Sequence, residues 1–265
     1  MINRALLDML GIDETKKNQL THEDFLSHFV DKKAMEKYLA VRDTLVEPYV
    51  REYEVMRGDE HVFVLCHTKL ITLANGDRVS LTSVMNITEN KKFEQRLLVQ
   101  SRMDALTKIC NRGYGEAQIE KLLKAKKNGM FLLFDVDKFK HINDTYGHSI
   151  GDEVLIQVAD ALKQTFEQAG VCMRLGGDEF AVYAPEITEQ MQAETMIQAF
   201  FERIRNIAIP QMEGDAISVS LGAVLCAPDR EHVFEKVYQR ADATMYTCKK
   251  VIGNSYDFYT GRNPA

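Results

Sequence analysis

Arg174 to Tyr183 reads RLGGDEFAVY, two glycines and two adjacent carboxylates set between one short apolar run and another. Gly176 and Gly177 fall where one strand turns into the next, so they can take positive φ and leave backbone N–H groups uncovered for a phosphate to approach. Asp178 and Glu179 follow directly. Neighbouring carboxylates repel, and a hydrated divalent cation is a common way to hold them together beside a phosphate. Taken alone, the stretch also reads as a polar hairpin tip.

A second cluster lies upstream, FDVDKFKHINDTYGHSIGDEVL, Phe134 to Leu155. Asp135 stands at the C-terminal end of the apolar run MFLLF, a costly place for a carboxylate unless a cation or a donor meets it. If that strand lies beside the glycine hairpin, Asp135 and Asp178 share a metal, with the Val136 carbonyl as a third protein ligand. Such an oxygen-only site suits Mg²⁺ carrying nucleotide phosphates.

Outward from these clusters, strands and helices alternate beyond Asp104. The patterns predict a helix over Tyr114 to Lys126, a strand over Met130 to Val136 and a helix over Ile150 to Phe166 with Ile150, Val154, Leu155, Val158, Leu162 and Phe166 on one face. Strands follow over Val171 to Leu175 and Glu179 to Ala184, then a helix over Thr188 to Ile207, a strand over Ile217 to Ala227, a helix over Glu231 to Val251 and a last strand over Tyr256 to Tyr259. The expected fold is α+β, one mostly antiparallel sheet flanked by helices. Before residue 90 the texture differs. His61 to Leu73 and Arg78 to Thr88 are rich in β-branched residues, and Asn75-Gly76-Asp77 between them is strong hairpin chemistry. Glu89 to Asp104 lacks Gly and Pro and carries Phe93, Leu97 and Gln100 at coiled-coil-like spacing, which predicts a connecting helix.

The 265 residues suggest two domains at roughly 150 residues each. The composition, 45% hydrophobic and 27% charged, is that of a globular protein able to bury sizeable cores. A net charge of -6 with scattered basic residues gives no footprint for nucleic acid. The five cysteines, Cys66, Cys110, Cys172, Cys226 and Cys248, form no CxxC pair and read as reduced packing residues. No apolar run reaches the roughly 18 residues that span a bilayer and no signal-peptide pattern is present, so the expected location is the cytoplasm. Absence of GxxxxGK[ST] argues against a P-loop NTPase.

RLGGDEF, the Phe134 to Leu155 cluster, DALTKICNR (Asp104 to Arg112) and SLGAVL (Ser220 to Leu225) together resemble the GGDEF family of diguanylate cyclases, over roughly Asp104 to Tyr259. The resemblance implies a palm-like nucleotidyl-cyclase domain that condenses two GTP molecules into cyclic di-GMP with Mg²⁺ or Mn²⁺, working as a two-fold homodimer. Carried over position by position, Asp135 and Asp178 match metal-binding aspartates, and Val136 the residue that gives a backbone oxygen. Asp178 also matches the proton acceptor for the attacking 3′-hydroxyl. Glu179 matches a supporting carboxylate that either binds the metal or backs the ligands. Lys140 matches a lysine near the phosphates. Asn143 and Asp152 match the pair that reads the guanine edge, His148 a nucleotide-contacting position, and Gly176 and Gly177 the hairpin over the phosphates.

The chain also departs from the family pattern. In TCKKVIGNSY, Lys249 holds a phosphate-contacting lysine position, but Gly253 stands where an arginine is usual, with Lys250 as a substitute. Lys108 and Cys110 replace the commoner Gly and Pro of the DALTKICNR turn. The family's product-inhibition site needs RxxD, and the corresponding residues here are Glu167 to Gly170, EQAG, so feedback by that route is expected to be absent.

Joining two GTPs needs a metal, a base and positioning rather than a covalent nucleophile. One domain holds one nucleotide, so activity is expected to require two facing copies. The first part, with NRALLDMLGI (Asn3 to Ile12) and the closing VMNITENKKFE (Val84 to Glu94), resembles a partial PAS sensory domain, an α/β unit whose first two strands would precede Asn3. Asn86 stands where an aspartate latch is usual. His22, His28, His61 and His67 read as surface or core residues rather than haem ligands. The expected organisation is a PAS-like domain over 1–88, a signalling helix over 89–103 and a cyclase domain over 104–265. The alternative function is a receptor that binds GTP or cyclic di-GMP without turnover.

Overall fold

The computed structural model describes residues 4–19, 21–41, 47–212, 214–226 and 233–261. Asn3, Ala227 and Glu231, where the sequence patterns place element ends, lie outside the described residues. The chain divides into two compact units, Met1–Leu98 and Val99–Ala265.

In the first unit, helices α1 (Arg4–Leu10), α2 (His22–Ser27) and α3 (Lys32–Val41) precede a three-stranded antiparallel sheet of β1 (Tyr49–Arg57), β2 (Glu60–Thr72) and β3 (Arg78–Asn86). Alternation along β2 buries Val62, Val64, Cys66 and Thr68 on one face, against Leu10, Met35 and Tyr38 from the helices and Phe29 between α2 and α3. Gly76 takes φ +88°, and the Asn75 side chain accepts from the Asp77 N–H at 3.1 Å, so the expected Asn-Gly turn forms. The sequence patterns do not predict β1. Arg51, Glu52, Glu54 and Arg57 interrupt its apolar rhythm, and only Tyr53 and Val55 are buried. Pairing with β2 along all nine residues makes it a strand.

The Asn86 side chain closes the end of β3. Its Oδ1 accepts from the Thr88 N–H at 2.9 Å, while Thr88 Oγ1 accepts from the Phe63 N–H at 2.9 Å. These bonds tie the end of β3 and the middle of the sheet to the start of α4 (Thr88–Arg102), the connecting helix. Phe93, Leu97, Leu98 and Val99 are exposed on it.

In the second unit, β4 (Cys110–Asn111), β5 (Gly129–Val136), β6 (Val171–Gly176), β7 (Glu179–Pro185), β8 (Val219–Cys226) and β9 (Ser255–Phe258) form a six-stranded sheet in the order β4-β6-β7-β5-β8-β9. The β4–β6 and β8–β9 pairs at its edges are parallel, and the pairs between them are antiparallel. Helices α5 (Arg112–Lys124) and α9 (Phe234–Cys248) contribute to the apolar cluster on one face. Helices α7 (His148–Phe166) and α8 (Gln190–Arg205) contribute to the cluster on the other. A short helix, α6 (Phe139–Tyr146), links β5 to α7.

Strand β5 is the axis of this unit, because every residue in it is buried. Met130, Leu132 and Phe134 pack on the α7 and α8 side, and Phe131 and Leu133 on the α5 and α9 side. Each such side chain contributes about 1.5–3 kcal/mol on burial. A strand covered on both faces reads as one apolar run, which explains why MFLLF was so conspicuous in the sequence.

Candidate active site

Side chains alternate along β5, so Asp135 falls on the same face as Phe131 and Leu133, the face covered by α9. In register it stands opposite Glu179 on β7 and Ser220 on β8. The expectation that this strand lies beside the glycine hairpin holds, with Glu179 rather than Asp178 directly opposite Asp135. Asp135 is only 6% exposed. Its Oδ2 forms an ion pair with Lys249, the residue after α9, while its Oδ1 is buried with no hydrogen-bond partner among the described residues.

The hairpin itself needs its glycines. Gly176 has φ +147° and Gly177 φ +56°, and the pairing of β6 with β7 is irregular between Arg174 and Gly176. That geometry brings the Asp178 carbonyl to the Val136 N–H at 3.3 Å, so the two carboxylate-bearing stretches touch through the backbone. Arg174 fixes the turn from below. Its guanidinium donates to the Gly177 carbonyl from Nε at 3.0 Å and from a terminal nitrogen at 2.7 Å, and its other terminal nitrogen meets Asp104 at 3.0 Å. Asp104 also accepts from the Thr107 N–H and hydroxyl at 2.9 and 2.7 Å. Neither Arg174 nor Asp104 is assigned a role by the sequence reading, although both stand inside the quoted motifs.

Burial, with the charges of Asp178 and Asp137 added, pushes the Asp135 carboxyl above the ordinary carboxylate range, against the opposing pull of Lys249. Burial and the neighbouring Asp178, Asp135 and Asp242 push Glu179 the same way. The Asp135 bond raises the Lys249 ammonium. Among the described residues no three His, Cys, Asp or Glu side chains form a ready metal cluster, and Lys249 is the cation that meets Asp135. A hard divalent ion nevertheless fits the donor set. Asp135 presents an orphaned buried oxygen, and the mutual repulsion of Asp135, Asp178 and Glu179 is what such an ion relieves.

The residues that the family resemblance assigns to the nucleotide lie on α6 and α7. Lys140 is exposed on α6, and His148 and Asp152 are exposed on α7. Asn143 is partly buried, and a Cβ placed on Gly151 would meet its Oδ1 at 2.0 Å. The amide therefore lies directly over Gly151, beside Asp152 in the next position. The structure thus sets Asn143 against the residue before Asp152, while the Lys140 and His148 side chains make no hydrogen bond among the described residues. At the other end of the site Gly253 takes φ +86°, a conformation in which an arginine would be strained. The Lys250 ammonium lies over the Tyr246 ring, 6.0 Å from its centroid. Position 170 has no room for the aspartate of an RxxD site, because a Cβ on Gly170 would meet the Tyr183 carbonyl oxygen at 1.9 Å.

The family model described as "Diguanylate cyclase, GGDEF domain" matches residues 101–255. The chain is 32% identical over 182 residues to "Diguanylate cyclase DgcM" of Escherichia coli K12, covering 66% of this chain and 42% of that protein. It is 35% identical over 170 residues to "Diguanylate cyclase DosC" of the same organism, covering 60% of this chain and 35% of that protein. The chain thus spans less than half the length of these curated relatives. The coiled coil and GGDEF domain of DgcB from Caulobacter crescentus, solved in complex with c-di-GMP, superimposes with a TM-score of 0.59 at 22% identity. That likeness covers 65% of this chain and 93% of the DgcB chain and shows a shared fold. No helix among the described residues is long and apolar enough to cross a membrane.

Proposed function

Since the chain belongs to the GGDEF diguanylate cyclase family, we propose that its second unit condenses two GTP molecules into cyclic di-GMP and two pyrophosphates. The observation that carries the reading is Asp135: a buried carboxylate with one orphaned oxygen, at the end of an apolar strand and opposite Glu179 of a glycine hairpin. Asp135, Asp178, the Val136 carbonyl and Glu179 would hold Mg²⁺ or Mn²⁺, which when bound neutralises phosphate charge and polarises the reacting oxygens. Asp178 accepts the proton of the attacking 3′-hydroxyl. Gly176 and Gly177 leave backbone N–H groups open to the phosphates, and Lys140 and Lys249 offset their charge. Asn143 and Asp152 read the guanine edge, the carboxylate accepting from N1–H and the 2-amino group, and His148 contacts the nucleotide.

One such site holds one GTP. The second arrives from a facing copy, so the active form is a homodimer and its location the cytoplasm. The first unit, a PAS-like module, controls that pairing through α4, whose exposed Phe93 and Leu97 suit a helix–helix seam.

A second reading, a receptor that binds GTP or cyclic di-GMP without turnover, draws support from Gly253, where a phosphate-contacting arginine is usual. Incubating the protein with GTP and Mg²⁺ and separating the products by chromatography, beside an Asp178→Ala variant, distinguishes them. Cyclic di-GMP from the parent protein alone supports the cyclase. Nucleotide binding with no product supports the receptor.

A further inference from the structure

We propose that Asp137 is a positioning residue, holding Asp135 and the Val136 carbonyl in place through Ser218 and Ser220 rather than binding the ion itself. The inference rests on the cation site described under Proposed function. Asp137 lies one residue past β5, and period-two alternation puts it on the same face as Asp135. Both of its carboxylate oxygens are engaged by hydroxyls from β8 and the residue just before it. Oδ2 accepts from Ser218 Oγ at 2.6 Å and Oδ1 from Ser220 Oγ at 2.7 Å. Its own N–H donates to the Ser218 carbonyl at 2.9 Å. Asp135 is the opposite case, with one oxygen left without a partner.

Three features make this a clamp with a purpose. Ser220 is fully buried and stands opposite Asp135 in register, so the hydroxyl that restrains Asp137 comes from the strand position that flanks the candidate ligand. The chain then leaves β5 through Lys138, held at φ +54°. A left-handed non-glycine residue is strained and persists only where its surroundings over-determine it. The three bonds from Asp137 to Ser218 and Ser220 are the local restraint. Finally, Asp137 is a second negative charge near Asp135, and the two donated hydroxyls bind its lone pairs and keep it directed at β8.

The test is Mn²⁺ binding without nucleotide, followed by the electron paramagnetic resonance signal of the free ion. The proteins compared are the parent, Asp135→Asn, Asp137→Asn, the Ser218→Ala/Ser220→Ala pair and the triple combination of the last two. Positioning through the serines predicts a loss of about 10–100-fold in the serine pair. It also predicts a similar loss in Asp137→Asn and little further loss in the triple variant. Ser218→Ala alone spares the buried position and should show a smaller loss in the same direction at unchanged melting temperature. Parent-like binding by the serine pair overturns the proposal: Asp137 is then a direct ligand if Asp137→Asn is weakened, and irrelevant to the ion if it is not. Equal binding by the parent and Asp135→Asn removes the cation site itself, and the clamp falls with it.

Discussion

Arg174 and Asp104, seventy positions apart in the chain, are joined by a 3.0 Å ion pair, and the same guanidinium holds the Gly177 carbonyl with two hydrogen bonds. Asp104 follows closely on the connecting helix, and Gly177 adjoins Asp178. One side chain therefore spans the entry to the second unit and the hairpin that carries the proposed base.

Arg174→Ala should lower stability by about 2 kcal/mol, since charge-assisted bonds are lost at a largely buried position. Activity should fall further, on the order of 100-fold, because the hairpin loses its anchor. Arg174→Lys restores a charge opposite Asp104 but not the planar fork, so it should recover more stability than turnover. Chemical denaturation and initial rates of GTP consumption separate the two effects; equal recovery of both would leave the anchoring role without support.

Lys249 occupies the Asp135 carboxylate that the proposed metal ion would bind. Replacing Lys249 with Gln should therefore strengthen Mn²⁺ binding in the absence of nucleotide and weaken GTP binding in its presence. Isothermal titration of each ligand reads the two signs independently. A drop in both affinities would mean that the ammonium supports the ion instead of standing in for it.

The Glu179 carboxyl is raised by burial and by Asp178, Asp135 and Asp242, so the folded state holds its proton more tightly than the unfolded chain. Its stability contribution is present below the ordinary carboxylate value and is lost as pH rises through the raised one. Glu179→Gln removes that dependence. In chelator, the variant should melt above the parent at pH 8, and the gap should narrow toward pH 4. Added Mg²⁺ should favour the parent more than the variant. Calorimetric melting curves across this range decide it, and a gap that widens toward acid pH contradicts the assignment.

Gly151→Ala sets helix propensity against substrate reading. Alanine in a helix is favoured over glycine by about 1 kcal/mol. Here the added methyl would meet the Asn143 Oδ1 at 2.0 Å. The expected variant folds with near-parental stability while its KM for GTP rises about tenfold, the size of one lost hydrogen bond. A KM equal to the parent's would separate Asn143 from guanine recognition.

Much of this molecule is visible in the order of its residues. MFLLF reads as a strand because it is covered on both faces, and RLGGDEF as a turn because glycine takes the positive φ values found at 176 and 177 with little strain. The helices and strands predicted after Asp104 match to within a few residues at their ends, while the two-residue β4 and the short α6 are not predicted. Strand β1 escapes the same method, because its charged residues break the apolar alternation and its strand character comes from pairing with β2. Helices α2 and α3 escape it as well, being too short for their periodicity to stand out from the background.

The sequence by itself determined which residues carry charge into apolar surroundings. A carboxylate after five buried residues and two more after a pair of glycines announce a charged site, because local patterns encode burial and turns. Only the tertiary structure decided who meets whom: Lys249 rather than an unpaired oxygen's future ligand on Asp135, Ser218 and Ser220 on Asp137, Asp104 on Arg174. The physical reason is distance along the chain. Hydrogen bonds and ion pairs act over a few ångströms of space, and partners separated by seventy or a hundred positions leave no periodic trace in either segment until the sheet brings them together.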